Sequence, residues 1–517
     1  MEAKYSPKYF LYVLFILGSS LVTCLLHFRQ PFFLHHSNGG TVVSLPFSRN
    51  VSFFFSTPSA VVADDWQSTR SSSSSSCDGR YVHMVDLPPQ LRVCAEGSPA
   101  FTSEHSICQL MSNAGLGPVI LPAGNSSDAD ADIVPNTGWY NTNQYALECL
   151  TDDPTAADAV YVPYYAAMEM QPHTCGPFNS TVRDGATGQL LRWLSSRPAW
   201  SAFGGRDHFM VASRTSWMFR RVAAAGDDDD TGCGNSFMLQ PETRNMTMLT
   251  YETAIWEQPR RDFAVPCPSY FHPASAGEVA TWQARVRATS RPWLFAFAGA
   301  RRPNRTLPIR DRIFDACDAA IPRRSCGKLD CDGHGHDCRS PRKLMALFAS
   351  SRFCLQPIGD SFMRRSSVDA VMAGCIPVFF HEASTFEKQY QWHERDPQQS
   401  EHSEQSNNGR RYYSDGEVAA MRKEVINMIP RFVYKDPRVR FAGDTRDAFD
   451  ITIDEVIARI RMIKEEEDLG KKEKSDGVVV AALRPAQRHP TIMPLPDPRC
   501  PTVVPPSDPG SPWRTTF

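Results

Sequence analysis

One stretch of the chain combines residue types that could hold a phosphate group. Residues 351–380 read as an apolar strand, a glycine-containing breaker cluster, an amphipathic helix and a second apolar strand. A βαβ unit of this kind places a helix N-terminus beside a glycine turn, and that combination attracts phosphate. Arg364 and Arg365 fall in the first helical turn, where their guanidinium groups could clamp a diphosphate. We expect the second strand to begin after Pro377, because proline cannot donate to a ladder.

A carboxylate shares the helix face with these arginines. Asp369 follows Arg365 by one helical turn, so it could bind ribose hydroxyls beside the phosphates. The alternative is a surface helix with an ordinary Arg–Asp ion pair, since glycine loops are common. A second strand, glycine–arginine loop and helix over residues 293–317 could bring Arg301 or Arg310 to the same phosphates. The residues expected at this phosphate site are Gly299, Arg301, Gly359, Asp360, Ser361, Arg364, Arg365, Ser366 and Asp369.

A second polar group adjoins a predicted strand in the first half of the chain. Asp207 and His208 follow a glycine turn and lead into the apolar run 209–212. Polar side chains where a strand meets a loop are typical of sites in α/β proteins. Adjacent residues of a strand point in different directions, however. The alternative is therefore a turn aspartate beside a half-buried histidine.

Length and composition narrow the class of protein. The 517 residues suffice for two or three domains. Lys and Arg together number 55 against 57 Asp and Glu, so there is no basic field and nucleic acid is not an expected partner. Fifteen cysteines are unusual for a disulfide scaffold of this size, but several could pair in an oxidising compartment.

The N-terminal segment predicts the compartment. Residues 9–28 are uncharged and apolar over about 20 positions, the length that spans a bilayer. Lys4 and Lys8 precede them, which leaves residues 1–8 in the cytosol and the bulk of the chain in the lumen. A cleaved signal peptide is the alternative, although no cleavage site is obvious. Residues 29–76 read as a stem, because they end in a run of serines. Five glycosylation sequons accord with a lumenal chain: Asn50, Asn125, Asn179, Asn245 and Asn304.

Two polar clusters contain residue types that can bind metal ions. The acidic run 227–230 could bind a cation, but no apolar strand precedes it and acidic surface loops are commoner. Cys326, Cys331 and Cys338 lie near two histidines, yet they form no C-x₂-C pair. A Cys331–Cys338 disulfide is the favoured interpretation there. We therefore expect no metal.

The remaining segments complete an α/β pattern. Amphipathic helices are predicted over 417–429 and 449–463, and the charged, then proline-rich, residues 466–517 read as a disordered tail. The expected domains are residues 77–290 and 291–465.

These segments together resemble plant exostosin-like glycosyltransferases of family 47, in particular the xyloglucan galactosyltransferase subgroup. The likeness covers about residues 78–463. The stretches that carry it are NTNQYALECL, AADAVYVPYYAAME, GGRDHFMVASRTSWMFRR, MTMLTYE, PCPSYFHP, WLFAFAGARRPN and FCLQPIGDSFMRRSSVDAVMAGCIPVFFHEAS.

The resemblance implies a GT-B architecture, in which two Rossmann-like domains face each other across a cleft and the C-terminal one binds the donor. It implies inverting, metal-independent transfer of galactose from UDP-galactose to xylosyl branches of xyloglucan, by a single-pass type II protein of the Golgi membrane. Other glycosyltransferases are further expected partners. The base should then lie on the N-terminal domain, with Asp207 or His208 as first candidates and Glu252 behind them. Rival expectations are a UDP-arabinose or UDP-galacturonic acid donor, and a catalytically inert partner subunit.

Overall fold

A computed structural model describes residues 77, 79–92, 115–116, 149–222, 233–257, 260–301, 309–320, 325–331, 340–394 and 413–475. Within these ranges no helix has both the length and the apolar character needed to cross a bilayer. Several predictions fall outside them: the anchor 9–28, the stem, the acidic run 227–230, Cys338, most of the tail, and the sequons at Asn50, Asn125 and Asn304.

The N-terminal half forms a sheet of five parallel strands in the order β1-β2-β3-β4-β5. The strands are β1 (Val82–Met84), β2 (Ala159–Tyr161), β3 (His208–Val211), β4 (Thr247–Thr250) and β5 (Asp262–Ala264). Strands β2, β3 and β4 are buried throughout, as expected for a parallel sheet covered on both faces.

Three helices lie between β2 and β3: α1 (Ala166–Met170), α2 (Ser180–Ser195) and α3 (Pro198–Phe203). Helix α2 begins at Asn179, whose side chain accepts a hydrogen bond from the Val182 amide at 3.0 Å. Helix α3 ends at Gly204, which adopts the left-handed conformation (φ 62°) that favours glycine.

The C-terminal half forms a second parallel sheet, in the order β7-β6-β8-β9. Its strands are β6 (Trp293–Gly299), β7 (Cys326–Asp330), β8 (Ser351–Gln356) and β9 (Ile376–Phe379). The helices around it are α4 (Ala276–Ala288), α5 (Ile309–Ala320), α6 (Pro341–Ala349), α7 (Arg365–Met372) and α8 (Phe386–Gln389). Mixed α/β structure with two parallel sheets is consistent with a GT-B glycosyltransferase.

The prediction that β9 starts after Pro377 is wrong. Pro377 lies inside the strand and is in register with Cys354 of β8. Strand β9 is at the edge of its sheet, where one side of the strand has no neighbour to receive an amide proton. A proline is tolerated at such a position.

Two long helices close the described chain: α9 (Asp415–Phe432) and α10 (Ala448–Ser475). Helix α10 extends the predicted helix 449–463 and continues into the segment predicted as tail. Its Val456, Ile457 and Ile460 pack with Phe209 of the N-terminal sheet. The chain therefore returns to the first domain after completing the second.

Disulfides join distant parts of both halves: Cys77–Cys149, Cys175–Cys233, Cys317–Cys326 and Cys354–Cys375. Cys331 is also disulfide-bonded. Neither Cys326 nor Cys331 is therefore a thiolate available to zinc. Cys267 is a free thiol in the described part of the chain.

Candidate functional site

The predicted phosphate unit is present as β8, the connecting residues 357–364 and helix α7. We call residues 357–364 the glycine loop. Gln356 ties the ends of this loop together, because it accepts from the Ser366 hydroxyl at 2.7 Å and donates to the Ser366 carbonyl at 3.2 Å. Ser366 is thereby turned towards β8. Within the loop the Gly359 amide donates to the Ser361 carbonyl at 3.1 Å.

Two arginines converge on glycines at the carboxyl edge of this sheet. Arg364 donates to the Ala298 carbonyl at 2.7 Å, and a Cβ on Gly299 would lie 3.1 Å from its Nη2 atom. Arg310, at the start of α5, donates to the Ile358 carbonyl at 3.2 Å. A side chain at Gly359 would collide with the Arg310 guanidinium. The two glycines thus leave room for guanidinium groups beside the loop. Arg364 is partly exposed there and is suited to binding phosphate, whereas Arg310 is 2% exposed and adds its charge from within the fold.

Arg365 and Asp369 form a pair on one face of α7, in which Asp369 is buried and Arg365 is partly buried. The Arg365 Nε atom is 3.9 Å from Asp369 Oδ2, and the guanidinium lies over the Tyr270 ring at 4.3 Å. Asp369 is 1% exposed and accepts from the Ser269 hydroxyl at 2.8 Å. Burial raises the pKa of Asp369, while Arg365 opposes that shift. The structure therefore presents Asp369 as a support for Arg365, and it does not bring the carboxylate to a surface where ribose could bind.

Arg301 points away from the glycine loop. Its guanidinium is 2.8 Å from Asp315 and 3.4 Å from Asp318, both on α5, and it lies over the Phe314 ring. Asp360 is exposed. Arg301 and Arg310 both follow β6 in the chain. Arg310 contacts the glycine loop, whereas Arg301 pairs with α5.

The carboxyl edge of the N-terminal sheet contacts the glycine loop directly. Glu252, just after β4, accepts from the Met363 amide at 2.6 Å. Trp217, in the segment after β3, donates from Nε1 to the Ser361 hydroxyl at 2.9 Å. Burial, aided by the charge of Asp262, raises the pKa of Glu252 to about 8. The two sheets therefore meet at the edges where parallel α/β sheets bind ligands.

Asp207 and His208 lie at the opposite edge. His208 is the first residue of β3, and Asp207 precedes it, so both are at the amino edge of the parallel sheet. Asp207 Oδ1 is 2.8 Å from His208 Nδ1, and the imidazole is 1% exposed and packs edge-on against Trp200. This placement speaks against a base at this pair and favours the alternative of a structural turn.

Sequence reasoning missed a polar group at the carboxyl edge of β2. Tyr164, Glu169 and His173 follow this strand within the segment 162–173. Burial raises the pKa of Glu169 to about 7, with a smaller contribution from the charge of Asp184. The signal was present, since these residues follow the apolar run 159–162 that contains β2.

No group of three or more His, Cys, Asp or Glu side chains in the described residues is arranged to hold a metal ion. The two described sequon asparagines, Asn179 and Asn245, are both exposed. Asn245 donates from its side chain to the Gly204 carbonyl at 2.9 Å.

The family model for the exostosin GT47 domain matches residues 76–406, a range that includes both sheets and the glycine loop. The chain belongs to the exostosin GT47 family. It is 38% identical over 433 residues to the xyloglucan galactosyltransferase MUR3 of Arabidopsis thaliana, covering 78% of this chain and 66% of that protein.

Further relatives carry related names. The Arabidopsis thaliana probable xyloglucan galactosyltransferase GT12 is 38% identical over 426 residues, covering 77% of this chain and 80% of that protein. The xyloglucan-specific galacturonosyltransferase 1 of the same organism is 31% identical over 421 residues, covering 74% of this chain and 58% of that protein. The family and the names of these relatives identify this chain as a glycosyltransferase.

Proposed function

We propose that this protein is an inverting glycosyltransferase that moves galactose from UDP-galactose to xylosyl branches of xyloglucan. The observation that carries the proposal is the convergence of Arg310 and Arg364 beside the glycine loop, directly opposite the N-terminal sheet. The names of the relatives support the choice of galactose and xyloglucan.

The chemistry that this chain would supply on the donor side is electrostatic. As the bond to the sugar breaks, negative charge develops on the departing UDP, and fixed cations lower the energy of that charge. Arg310 is held by a carbonyl group of the glycine loop and Arg364 by a carbonyl group of β6, so they require little reorganisation. In this proposal no divalent ion is required. Arg365 stiffens the start of α7 from beneath, through Asp369 and Tyr270.

The contacts across the cleft suggest how the donor site is held in place. Glu252 binds the Met363 amide, and the Gln389 side chain accepts from the Thr253 amide at 2.9 Å. Glu252 is 3% exposed and already engaged by the loop, so it serves as a clamp between the halves rather than as a base. Its removal would leave loop amides without their acceptor.

UDP-galacturonic acid is the second candidate donor. It is favoured by the 31% identity to a xyloglucan-specific galacturonosyltransferase. UDP-arabinose and an inert partner subunit remain as weaker alternatives. An inert subunit would have no physical need for two arginines placed beside the glycine loop.

We further propose that the protein acts in the Golgi lumen on a single-pass type II anchor formed by residues 9–28. The disulfides of the described chain support an oxidising compartment. Fractionation of plant membranes with protease protection would test this placement, since a lumenal domain resists protease until detergent is added.

A donor panel tests the enzymatic proposal. Full-length protein in detergent would be supplied with UDP-galactose, UDP-galacturonic acid or UDP-arabinose, together with xyloglucan oligosaccharides, and the product linkage determined. We expect β-galactosyl transfer to xylose with UDP-galactose, and loss of transfer in Arg364→Ala. Transfer of galacturonic acid alone would show that the donor is UDP-galacturonic acid and not UDP-galactose. Binding of UDP without transfer from any donor would overturn enzymatic function.

A further inference from the structure

Three polar side chains meet where β2 ends, on the edge of the N-terminal sheet that contacts the glycine loop. Tyr164 follows the strand, Glu169 lies in α1, and His173 lies in the 3-10 turn after it. Glu169 Oε1 is 3.7 Å from His173 Nε2, a distance beyond an ordinary hydrogen bond. The two side chains share one face because they are four residues apart.

Each of the three side chains has a buried polar atom that makes no hydrogen bond of ordinary geometry within the described chain, although the Tyr164 hydroxyl lies close enough to the Glu169 carboxyl to affect its pKa. These atoms are Tyr164 Oη, Glu169 Oε2 and His173 Nε2. Tyr164 is 1% exposed, whereas the Glu169 and His173 side chains are 16% and 21% exposed. Leaving a buried polar atom unpaired costs about 1–3 kcal/mol. Three such atoms in one place indicate a site that is completed by a polar ligand.

The cluster is connected to the cleft through the segment after β3. Gln171, between Glu169 and His173, accepts a hydrogen bond from Arg214. Three residues beyond Arg214, Trp217 donates to Ser361 of the glycine loop. Ser213 has φ 56° and is the one non-glycine residue of the described chain with a left-handed backbone conformation. Such conformations cluster at functional sites.

We propose that Glu169 is the base that activates the acceptor sugar, with Tyr164 and His173 orienting the hydroxyl. This inference rests on the proposed function. The acceptor hydroxyl gives its proton to Glu169 Oε2, and its oxygen forms a bond to the anomeric carbon of the donor. The bond from that carbon to the β-phosphate oxygen breaks, and UDP leaves with the electron pair. Tyr164 donates to the acceptor, and neutral His173 accepts from a second sugar hydroxyl.

The surroundings of Glu169 suit this role. Burial, opposed by a hydrogen bond with Tyr164 and aided by the charge of Asp184, raises the pKa of Glu169 to about 7, so that the carboxyl can take up a proton near neutral pH. Burial and the charge of Arg183 lower the pKa of His173, which keeps the imidazole neutral. The Arg183 guanidinium is itself held by the His173 and Thr174 carbonyls, at 3.1 and 3.0 Å.

Glu169→Gln in the full-length protein tests the proposal. A positioned base contributes about 10²–10⁴-fold to rate. We therefore expect single-turnover transfer to fall by about 10²–10⁴-fold, with UDP affinity within about twofold of wild type. Glu394→Gln is the matched control, because burial also raises the pKa of Glu394 to about 7 but the residue lies outside the cluster. The control should keep its rate.

The pH profile separates a base from a structural carboxylate. Wild-type kcat/KM should fall about tenfold per pH unit below the pKa of about 7, because the protonated carboxyl cannot accept the hydroxyl proton. Glu169→Asp should retain that limb at reduced rate, and Glu169→Gln should lose it. A Glu169→Gln variant that binds UDP and transfers at the wild-type rate, or that keeps the acidic limb, overturns the inference. Wild-type protein that transfers no sugar overturns the proposed function instead.

Discussion

The two edges of the N-terminal sheet each carry a carboxylate beside a histidine, and the two pairs differ in almost every physical respect. Asp207 and His208, at the amino edge, are 2.8 Å apart and bond to each other. Glu169 and His173, at the carboxyl edge, are 3.7 Å apart and retain buried polar atoms without partners in the described chain. The first pair is complete as it stands, and the second has capacity for a ligand.

This difference shows that the role of an acid–histidine pair depends on which edge of the sheet it occupies. Parallel strands bind ligands at their carboxyl ends, where loops from successive strands meet. Asp207 and His208 lie at the amino end of β3, where the neighbouring Arg206 pairs with Glu467 of α10 at 2.6 Å. The contacts of Trp217 and Glu252 with the glycine loop are both at the other edge.

The largest effect in this comparison should come from His208→Ala. The imidazole is 1% exposed, packs on Trp200 and bonds to Asp207, so its loss leaves a cavity and an unpaired carboxylate. We expect a cost of about 2–4 kcal/mol in the free energy of unfolding. Transfer per folded molecule should stay within about twofold of wild type, and Asp207→Asn should do the same. A fall of 10²-fold or more in single turnover, with the fold intact by circular dichroism, would return the base to the amino edge.

The next largest effect should be a pH dependence of stability that comes from Glu252, the clamp between the two halves at the carboxyl edge. Burial raises the pKa of Glu252 in the folded protein from its ordinary 4.5 to about 8, so the folded protein binds this proton more tightly than the unfolded chain does. The stability that this tighter proton binding contributes is fully present below pH 4.5 and is lost as pH rises through about 8. Glu252→Gln resembles the protonated form and should lack this loss.

Melting temperatures of wild type and Glu252→Gln at pH 5, 6, 7 and 8 check this sign. As pH rises, the free energy of unfolding of the variant should increase relative to that of wild type, by up to about 1.4 kcal/mol per pH unit. Exposed Glu387→Gln is the control and should track wild type. Parallel curves for Glu252→Gln and wild type would show that Glu252 is ionised in the folded protein.

A smaller effect should follow from Trp217→Phe, which keeps the ring but removes the 2.9 Å hydrogen bond to Ser361. A net hydrogen bond contributes about 1 kcal/mol, so UDP affinity should weaken by about fivefold as the loop loosens. Ser361→Ala should weaken it equally, and the double variant should be no worse than either single variant. Additive losses would mean that the two residues act separately.

The units that could be predicted are those in which local pattern and tertiary role agree. The β8–α7–β9 unit was predicted because apolar periodicity, a glycine loop and a terminal glycine lie within one continuous stretch. The helix that contains Arg310 was also predicted from its sequence pattern. Pro377 misled because one sequence does not show that its strand is at a sheet edge.

The site was harder to predict than the fold because its residues come from separate strands. The rule that ligands bind at carboxyl ends favours Glu169 over Asp207, yet it applies only when the strand and its direction are known. Whether Arg301 or Arg310 turns to the glycine loop depends on Asp315 and Asp318, which lie a helical turn or more beyond Arg310. The burial of Asp369 depends on Ser269 from a distant segment.

UDP binding by calorimetry, in chelator and without added metal, tests the central claim that the nucleotide lies where the two carboxyl edges meet. Arg364 and Arg301 make a matched pair, because one reaches the glycine loop and the other is held by Asp315 and Asp318. The account predicts that wild type and Arg301→Ala bind UDP within about twofold of each other, while Arg364→Ala binds at least about tenfold more weakly, a difference of about 1.4 kcal/mol. Unchanged affinity in Arg364→Ala, or binding only after manganese is added, would contradict it.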